Sequence, residues 1–152
     1  MREATRVLGI PEDNLILFDY PVRKLDYYRQ EILEDLIRLK KRIDPEIVFL
    51  PCRNDIHQDH LTIHNEGIRA FKDCTVLGYE LPWNNITFHT RNFIILAKHH
   101  ISKKYKALKC YCSQSNRHYV NEDFIYSLAR TRGVQIGAQF AESFDVIRWV
   151  IP

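Results

Sequence analysis

Short runs of apolar residues alternate with longer amphipathic stretches along this chain of 152 residues. The runs at 14–18 and 47–50 are bounded by polar or turn-forming residues, as expected of strands that are buried in a sheet. Between 26 and 43, apolar residues recur at intervals of three and four while charges fill the other face, which predicts an amphipathic helix. This alternation predicts an α/β fold with a mainly parallel sheet and helices on both faces.

The predicted elements place one loop at the functional edge of the sheet. Ligands of parallel α/β sheets bind at the carboxyl ends of the strands, so the loop 51–60, after the strand 47–50, is the predicted site. Asp26 is the predicted N-cap of the second helix. The remaining predictions are strands at 75–81, 87–96 and 144–151, and helices at 2–8, 26–43, 59–72, 102–114 and 121–132.

Composition excludes several classes of protein. The length is that of one domain, so a single domain over 1–152 is predicted. The net charge of +3 is small, and the basic stretch 98–109 is interleaved with apolar residues at helical spacing, which favours a solvated helix face over a nucleic-acid site. No G-x-G-x-x-G loop and no apolar run of eighteen residues occurs, which argues against a nucleotide-binding protein and a membrane span.

The four cysteines form no C-x-x-C pair and are predicted to be free thiols of a cytoplasmic protein.

The loop 51–60 concentrates the residues that carry chemistry. His57, Asp59 and His60 combine imidazoles, the commonest zinc ligands in proteins, with a carboxylate that can hold a ring in place. If the helix begins at Asp59, its carboxylate can also cap the first free amides. By spacing alone, H-x-D-H is a weak pattern, and a polar histidine loop with a capping aspartate is the alternative interpretation.

Several segments in order resemble one family. The chain is similar to the PIG-L/LmbE family of zinc-dependent de-N-acetylases, and His57-Gln58-Asp59-His60 resembles its H-P-D-H motif with glutamine in place of proline. The other segments that carry the resemblance are Arg2-Glu3-Ala4 with Leu8-Gly9-Ile10, Asp44-Pro45-Glu46-Ile47-Val48, Glu80-Leu81-Pro82-Trp83-Asn84, Tyr111-Cys112-Ser113-Gln114, and Arg132-Gly133 with Ala141-Glu142-Ser143-Phe144.

The resemblance implies a Rossmann-like sheet and a hydrolase with one zinc ion, acting on the N-acetyl amide of an N-acetylglucosamine-type sugar conjugate. It implies that His60 is a metal ligand, that His57 stabilises the oxyanion or acts as an acid, and that Asp59 orients His57. In the implied mechanism, zinc polarises the acetyl carbonyl and activates a water, and a carboxylate takes the proton of that water. A protonated His57 then stabilises the tetrahedral intermediate.

The chain departs from the family pattern at one point. The other two zinc ligands and the general base of the family come from a His-Pro-Asp-Asp motif after the first strand, and this sequence contains no such motif. The resemblance therefore implies an N-terminally truncated domain that lacks the first strands and binds zinc poorly. Such a chain is predicted to be marginally stable, to aggregate, or to complete its sheet with another chain, for example in a homo-oligomer.

The predicted partner is a small sugar substrate, whose identity the sequence leaves open. Arg53 could hold a phosphate or carboxylate of the substrate, or pair with Asp55. Trp83 could stack on a sugar ring or pack in the core. The alternative function is a non-catalytic family member that acts as a carbohydrate-binding or scaffold protein.

Overall fold

The computed structural model describes residues 1–151, which form five α-helices, four strands and short 3₁₀ turns. The helices are α1 (Arg2–Leu8), α2 (Arg29–Ile43), α3 (Gln58–Ala70), α4 (Lys98–Lys109) and α5 (Glu122–Val134). The strands are β1 (Ile47–Pro51), β2 (Thr75–Tyr79), β3 (Asn92–Ile95) and β4 (Ala141–Arg148). Within this described part of the chain, no helix is long and apolar enough to cross a membrane.

The strands form one mixed sheet in the order β1-β2-β4-β3. β1 and β2 run parallel, with Ile47 opposite Thr75 and Pro51 opposite Tyr79. β4 runs antiparallel to β2, so the sheet is less uniformly parallel than the sequence predicts. An apolar strand carries no signal for its direction, and an antiparallel strand on a parallel sheet is common in α/β folds. The predicted α/β class is confirmed.

The described residues fall into two compact units. One unit comprises 19–92 and 143–151, and its core lies between β1, β2, α2 and α3. The buried members of this core are Leu33, Leu50, Ala70, Phe71, Cys74 and Val76. The other unit comprises 1–18 and 93–142, and its core is built from Ile101, Ile125, Ala129 and Phe140. The single domain over 1–152 stays a prediction.

A buried carboxylate joins α2 to α3. Glu66 on α3 is 0% exposed, and its Oε1 accepts a hydrogen bond of 2.6 Å from Nε of Arg29 on α2. Its other oxygen pairs with Arg69, one turn further along α3. Both carboxylate oxygens are thus satisfied, which makes the burial of the charge tolerable.

Three predictions about elements are wrong. Residues 14–18 form no strand, because Glu12–Asn14 is a 3₁₀ turn and no described strand pairs with the apolar run that follows. Asp26 is not a helix cap, since Leu25–Tyr28 is a 3₁₀ turn and Tyr28 holds the N-cap position of α2 without a side-chain bond. The fourth helix spans Lys98–Lys109 instead of 102–114.

Candidate active site

The predicted loop lies at the carboxyl end of β1, as the sequence implies. Strand β1 ends at Pro51 and α3 begins at Gln58, so the residues between them form the strand-to-helix turn. The segment that follows β2 holds this turn, since Asp55 forms a bridge with Asn85 and the Ile56 N–H donates to the Asn84 carbonyl at 3.1 Å. The site is therefore fixed by backbone contacts with the neighbouring strand connection.

His57 caps the helix that carries the motif. Its Nδ1 accepts a hydrogen bond of 3.2 Å from the backbone N–H of Asp59, and His57 occupies the N-cap position of α3. The predicted cap by the Asp59 carboxylate is not formed. That carboxylate instead accepts hydrogen bonds from the backbone N–H groups of Arg23, at 2.6 Å, and Leu25, at 3.3 Å. Asp59 thus contacts His57 through its main chain, and its side chain anchors the segment ahead of α2.

Asp55 organises both motif histidines, a role that no sequence pattern indicates. The residue is 4% exposed, and its Oδ1 accepts the backbone N–H of His57 at 2.8 Å. Its Oδ2 lies 2.7 Å from Nδ1 of His60. The rings of His57 and His60 stack with centroids 4.4 Å apart. A carboxylate on one ring nitrogen is the usual support of a metal-binding histidine.

Arg23 is a second residue near the motif that no sequence pattern indicates. Its φ of 66° lies in the left-handed region, which is unfavourable for most residues other than glycine and asparagine. The Arg23 N–H is held by Asp59, and its carbonyl accepts a bond of 2.6 Å from Nε2 of Gln58. The two motif residues thus hold a strained backbone and place this exposed arginine next to the motif. No local pattern could show this, because the contacts span 35 residues or more.

The two predicted substrate contacts lie at accessible positions. Arg53 is exposed on the turn, and the carboxylate of Asp55 bonds to the two histidines instead of pairing with it. Trp83 is 43% exposed, which rules out the interpretation as a packed core residue. Their contacts with substrate stay predictions.

Three further polar side chains lie close to the turn. His64, one turn after His60, is buried, and its Nδ1 lies 2.7 Å from the carbonyl of Pro51, which ties α3 to the end of β1. Burial raises the pKa of the Cys52 thiol, so this cysteine is unsuited to act as a nucleophile. Burial, followed by the charge of Asp55, raises the pKa of Tyr79 to about 12, which keeps this hydroxyl protonated.

The described residues do not complete a metal site by themselves. Among residues 1–151, no group of three or more histidine, cysteine, aspartate or glutamate side chains is placed to hold a metal ion. Catalytic zinc has about three protein ligands, and His60 would supply one of them. His60 is oriented as a metal ligand would be, with Nδ1 against the Asp55 carboxylate. Among residues 1–151, however, too few other donor side chains lie near it to complete a metal site.

Residues 1–71 match the family described as PIG-L, GlcNAc-PI de-N-acetylase. The predicted resemblance to the PIG-L family is confirmed. The matched stretch contains the whole strand-to-helix turn, the motif from His57 to His60, and Arg23.

Solved structures with this fold include two deacetylases and one enzyme of another kind. N,N'-diacetylchitobiose deacetylase from Pyrococcus horikoshii is similar with a TM-score of 0.75 and 20% identity, over 96% of this chain and 61% of that one. The zinc-inhibited form of teicoplanin deacetylase is similar with a TM-score of 0.63 and 18% identity, over 85% and 55% of the two chains. The 4-carboxy-2-hydroxymuconate hydratase from Pseudomonas putida KT2440 has a TM-score of 0.70 and 17% identity, over 99% and 70%. At these identities the likeness establishes the fold alone, and this chain spans less than two thirds of both deacetylases.

Proposed function

We propose that this chain forms part of a zinc-dependent de-N-acetylase that hydrolyses the N-acetyl amide of an N-acetylglucosamine-type sugar conjugate. The observation that carries the proposal is the pair of stacked histidines, His57 and His60, held around buried Asp55 at the carboxyl end of β1. The pair lies within the stretch that matches the PIG-L family, whose description names an N-acetylated sugar lipid. Family and fold together favour de-N-acetylation, and the histidine pair is the location that we propose for the reaction.

His60 is the residue that would hold the metal. Its Nδ1 faces the carboxylate of Asp55, so its Nε2 is available to an ion. Zinc bound there, with further ligands beyond those of the described residues, would polarise the acetyl carbonyl and activate a water molecule. The chain itself contributes the rigid support of this ligand, since Asp55 is buried and its turn is bonded to Asn84 and Asn85.

His57 would stabilise the negative charge that develops on the acetyl oxygen. The cap bond to the Asp59 N–H holds its Nδ1, so Nε2 is the ring nitrogen that can reach a substrate. A donor that is fixed before the reaction costs no reorganisation when the charge forms. Asp59 supports this position through its backbone, while its carboxylate fixes the Arg23 segment.

Arg53 and Trp83 would bind the sugar conjugate around these histidines. Both are accessible: Arg53 lies on the turn, and Trp83 lies in the segment after β2 that contacts the turn. A guanidinium suits a phosphate or carboxylate of the conjugate, and an indole face suits a sugar ring.

Acetate release, measured together with zinc content, tests the proposed function. The wild-type protein, isolated from the cells that make it, should contain zinc and release acetate from N-acetylglucosamine conjugates. His60→Ala, expressed in the same cells, should lose both. His64→Ala changes a neighbouring histidine whose ring bonds to the Pro51 carbonyl and should retain both if it folds. Full zinc occupancy and acetate release by His60→Ala would refute the assignment.

A non-catalytic carbohydrate-binding protein is the second candidate, favoured by the incomplete donor set within residues 1–151. The same experiment separates the two functions. A wild-type protein that binds N-acetylglucosamine conjugates without zinc and without acetate release would support the second and exclude the first.

A further inference from the structure

The two motif histidines have opposite hydrogen-bond partners at the same ring nitrogen. Nδ1 of His60 faces a carboxylate oxygen of Asp55, at 2.7 Å. Nδ1 of His57 faces a backbone N–H, that of Asp59, at 3.2 Å. A neutral imidazole carries one proton, and the partner of each nitrogen decides which nitrogen holds it.

From these partners we infer that His57 and His60 are held in opposite neutral tautomers, and that Asp55 is the positioning residue that sets the tautomer of His60. An ionised carboxylate only accepts hydrogen bonds, so Nδ1 of His60 carries the proton and its Nε2 has a free lone pair. A backbone N–H only donates, so Nδ1 of His57 is the acceptor and its Nε2 carries the proton.

The inference deepens the proposed function and rests on it for its chemical meaning. A lone pair on Nε2 of His60 is what a metal ligand requires. A proton on Nε2 of His57 is what an oxyanion donor requires, and the neutral ring already has it. Two adjacent histidines therefore present one acceptor and one donor, a difference that their side-chain chemistry alone would not produce.

The geometry around Asp55 explains why a carboxylate is needed. Its two oxygens have separate tasks, since Oδ1 accepts the His57 N–H at 2.8 Å while Oδ2 faces His60. In Asp55→Asn the side chain has one oxygen and one NH₂ group. The His57 N–H can only donate, so it retains the oxygen and the NH₂ group turns toward His60. Nδ1 of His60 must then accept, and its proton moves to Nε2, which removes the lone pair there.

Two-bond ¹H–¹⁵N NMR spectra of the histidine rings test the inference directly. At about pH 8.5 an ordinary imidazole is neutral, and the ¹⁵N shifts then show which nitrogen carries the proton. The wild type should show the proton on Nδ1 for His60 and on Nε2 for His57. His57→Ala and His60→Ala identify the two ring systems among the seven histidines.

Two aspartate-to-asparagine variants, one at Asp55 and one at Asp59, provide the comparison. Asp55→Asn should invert the tautomer of His60, which moves the ring proton from Nδ1 to Nε2 and removes the lone pair from Nε2. Asp59→Asn should leave both tautomers unchanged, because the contact of Asp59 with His57 is made by its backbone N–H.

A wild-type His60 with its proton on Nε2 would overturn the inference, whether or not the variants fold. So would an unchanged His60 tautomer in folded Asp55→Asn. If the tautomers are as inferred and no N-acetyl sugar is hydrolysed, the tautomer assignment stands and the proposed function fails.

Discussion

At the scale of single residues, His57 is expected to contribute to stability and to turnover by separate atoms. Nδ1 caps α3, and Nε2 is the proposed oxyanion donor. His57→Ala removes both, so it should lower the free energy of unfolding by about 1 kcal/mol. It should also reduce turnover by roughly two orders of magnitude, as for loss of one oxyanion donor.

His57→Asn separates these two contributions. Asparagine is among the best N-cap residues, so the unfolding free energy should return to near the wild-type value. Its short side chain does not place a donor where the imidazole Nε2 lies, so turnover should stay low. Denaturant unfolding and acetate release on the same samples provide the measurement. Recovery of turnover in His57→Asn would show that the ring has no part in the reaction.

The sequence shows which residues of the site carry chemistry better than it shows how they are held. His57, Asp59 and His60 are visible because they form a short pattern that resembles a family motif. The role of Asp55 depends on the path of the turn, which places its two oxygens against two different groups. The contact between Asp59 and Arg23 spans 36 residues, and no local pattern encodes it.

At the scale of elements, Glu66 links α2 to α3. Glu66→Gln leaves one acceptor oxygen for two arginine donors and turns a buried NH₂ group against one of them. The free energy of unfolding should fall by about 2 kcal/mol, which lies within the usual range for the loss of a hydrogen bond to a charged group. A urea midpoint that falls with an unchanged slope would identify this as a loss of stability.

Glu34→Gln on α2 is the matched control. Glu34 is exposed and accepts a hydrogen bond of 3.1 Å from Gln30, so its change should leave the unfolding free energy within about 0.5 kcal/mol. Equal effects of the two substitutions would show that Glu66 does not join the helices.

Predictions of helices and strands succeed unevenly in this chain, since β1 is found where an apolar run predicts it and α4 begins four residues before its predicted start. Helix α1 has its predicted limits, and α3 lies within two residues of its own. An amphipathic face such as that of α3 is encoded locally. The run 14–18 has the composition of a strand, but a strand also needs a paired neighbour, and no described strand supplies one. The direction of β4 likewise depends on its partner β2.

At the scale of the whole molecule, the fold alone does not determine which reaction a protein catalyses. Two deacetylases and a hydratase share it with this chain at 17–20% identity. The proposal therefore rests on the turn that follows β1, which presents His57 and His60 from a rigid, buried carboxylate. Self-association at the sheet edge stays a prediction.

A crystal structure of the zinc-loaded protein, with anomalous data collected on both sides of the zinc absorption edge, tests the central claim most directly. The account predicts an anomalous peak about 2.0–2.1 Å from Nε2 of His60, with Nδ1 of that ring still bonded to Asp55. A zinc ion bound elsewhere, with Nε2 of His60 uncoordinated, would contradict it.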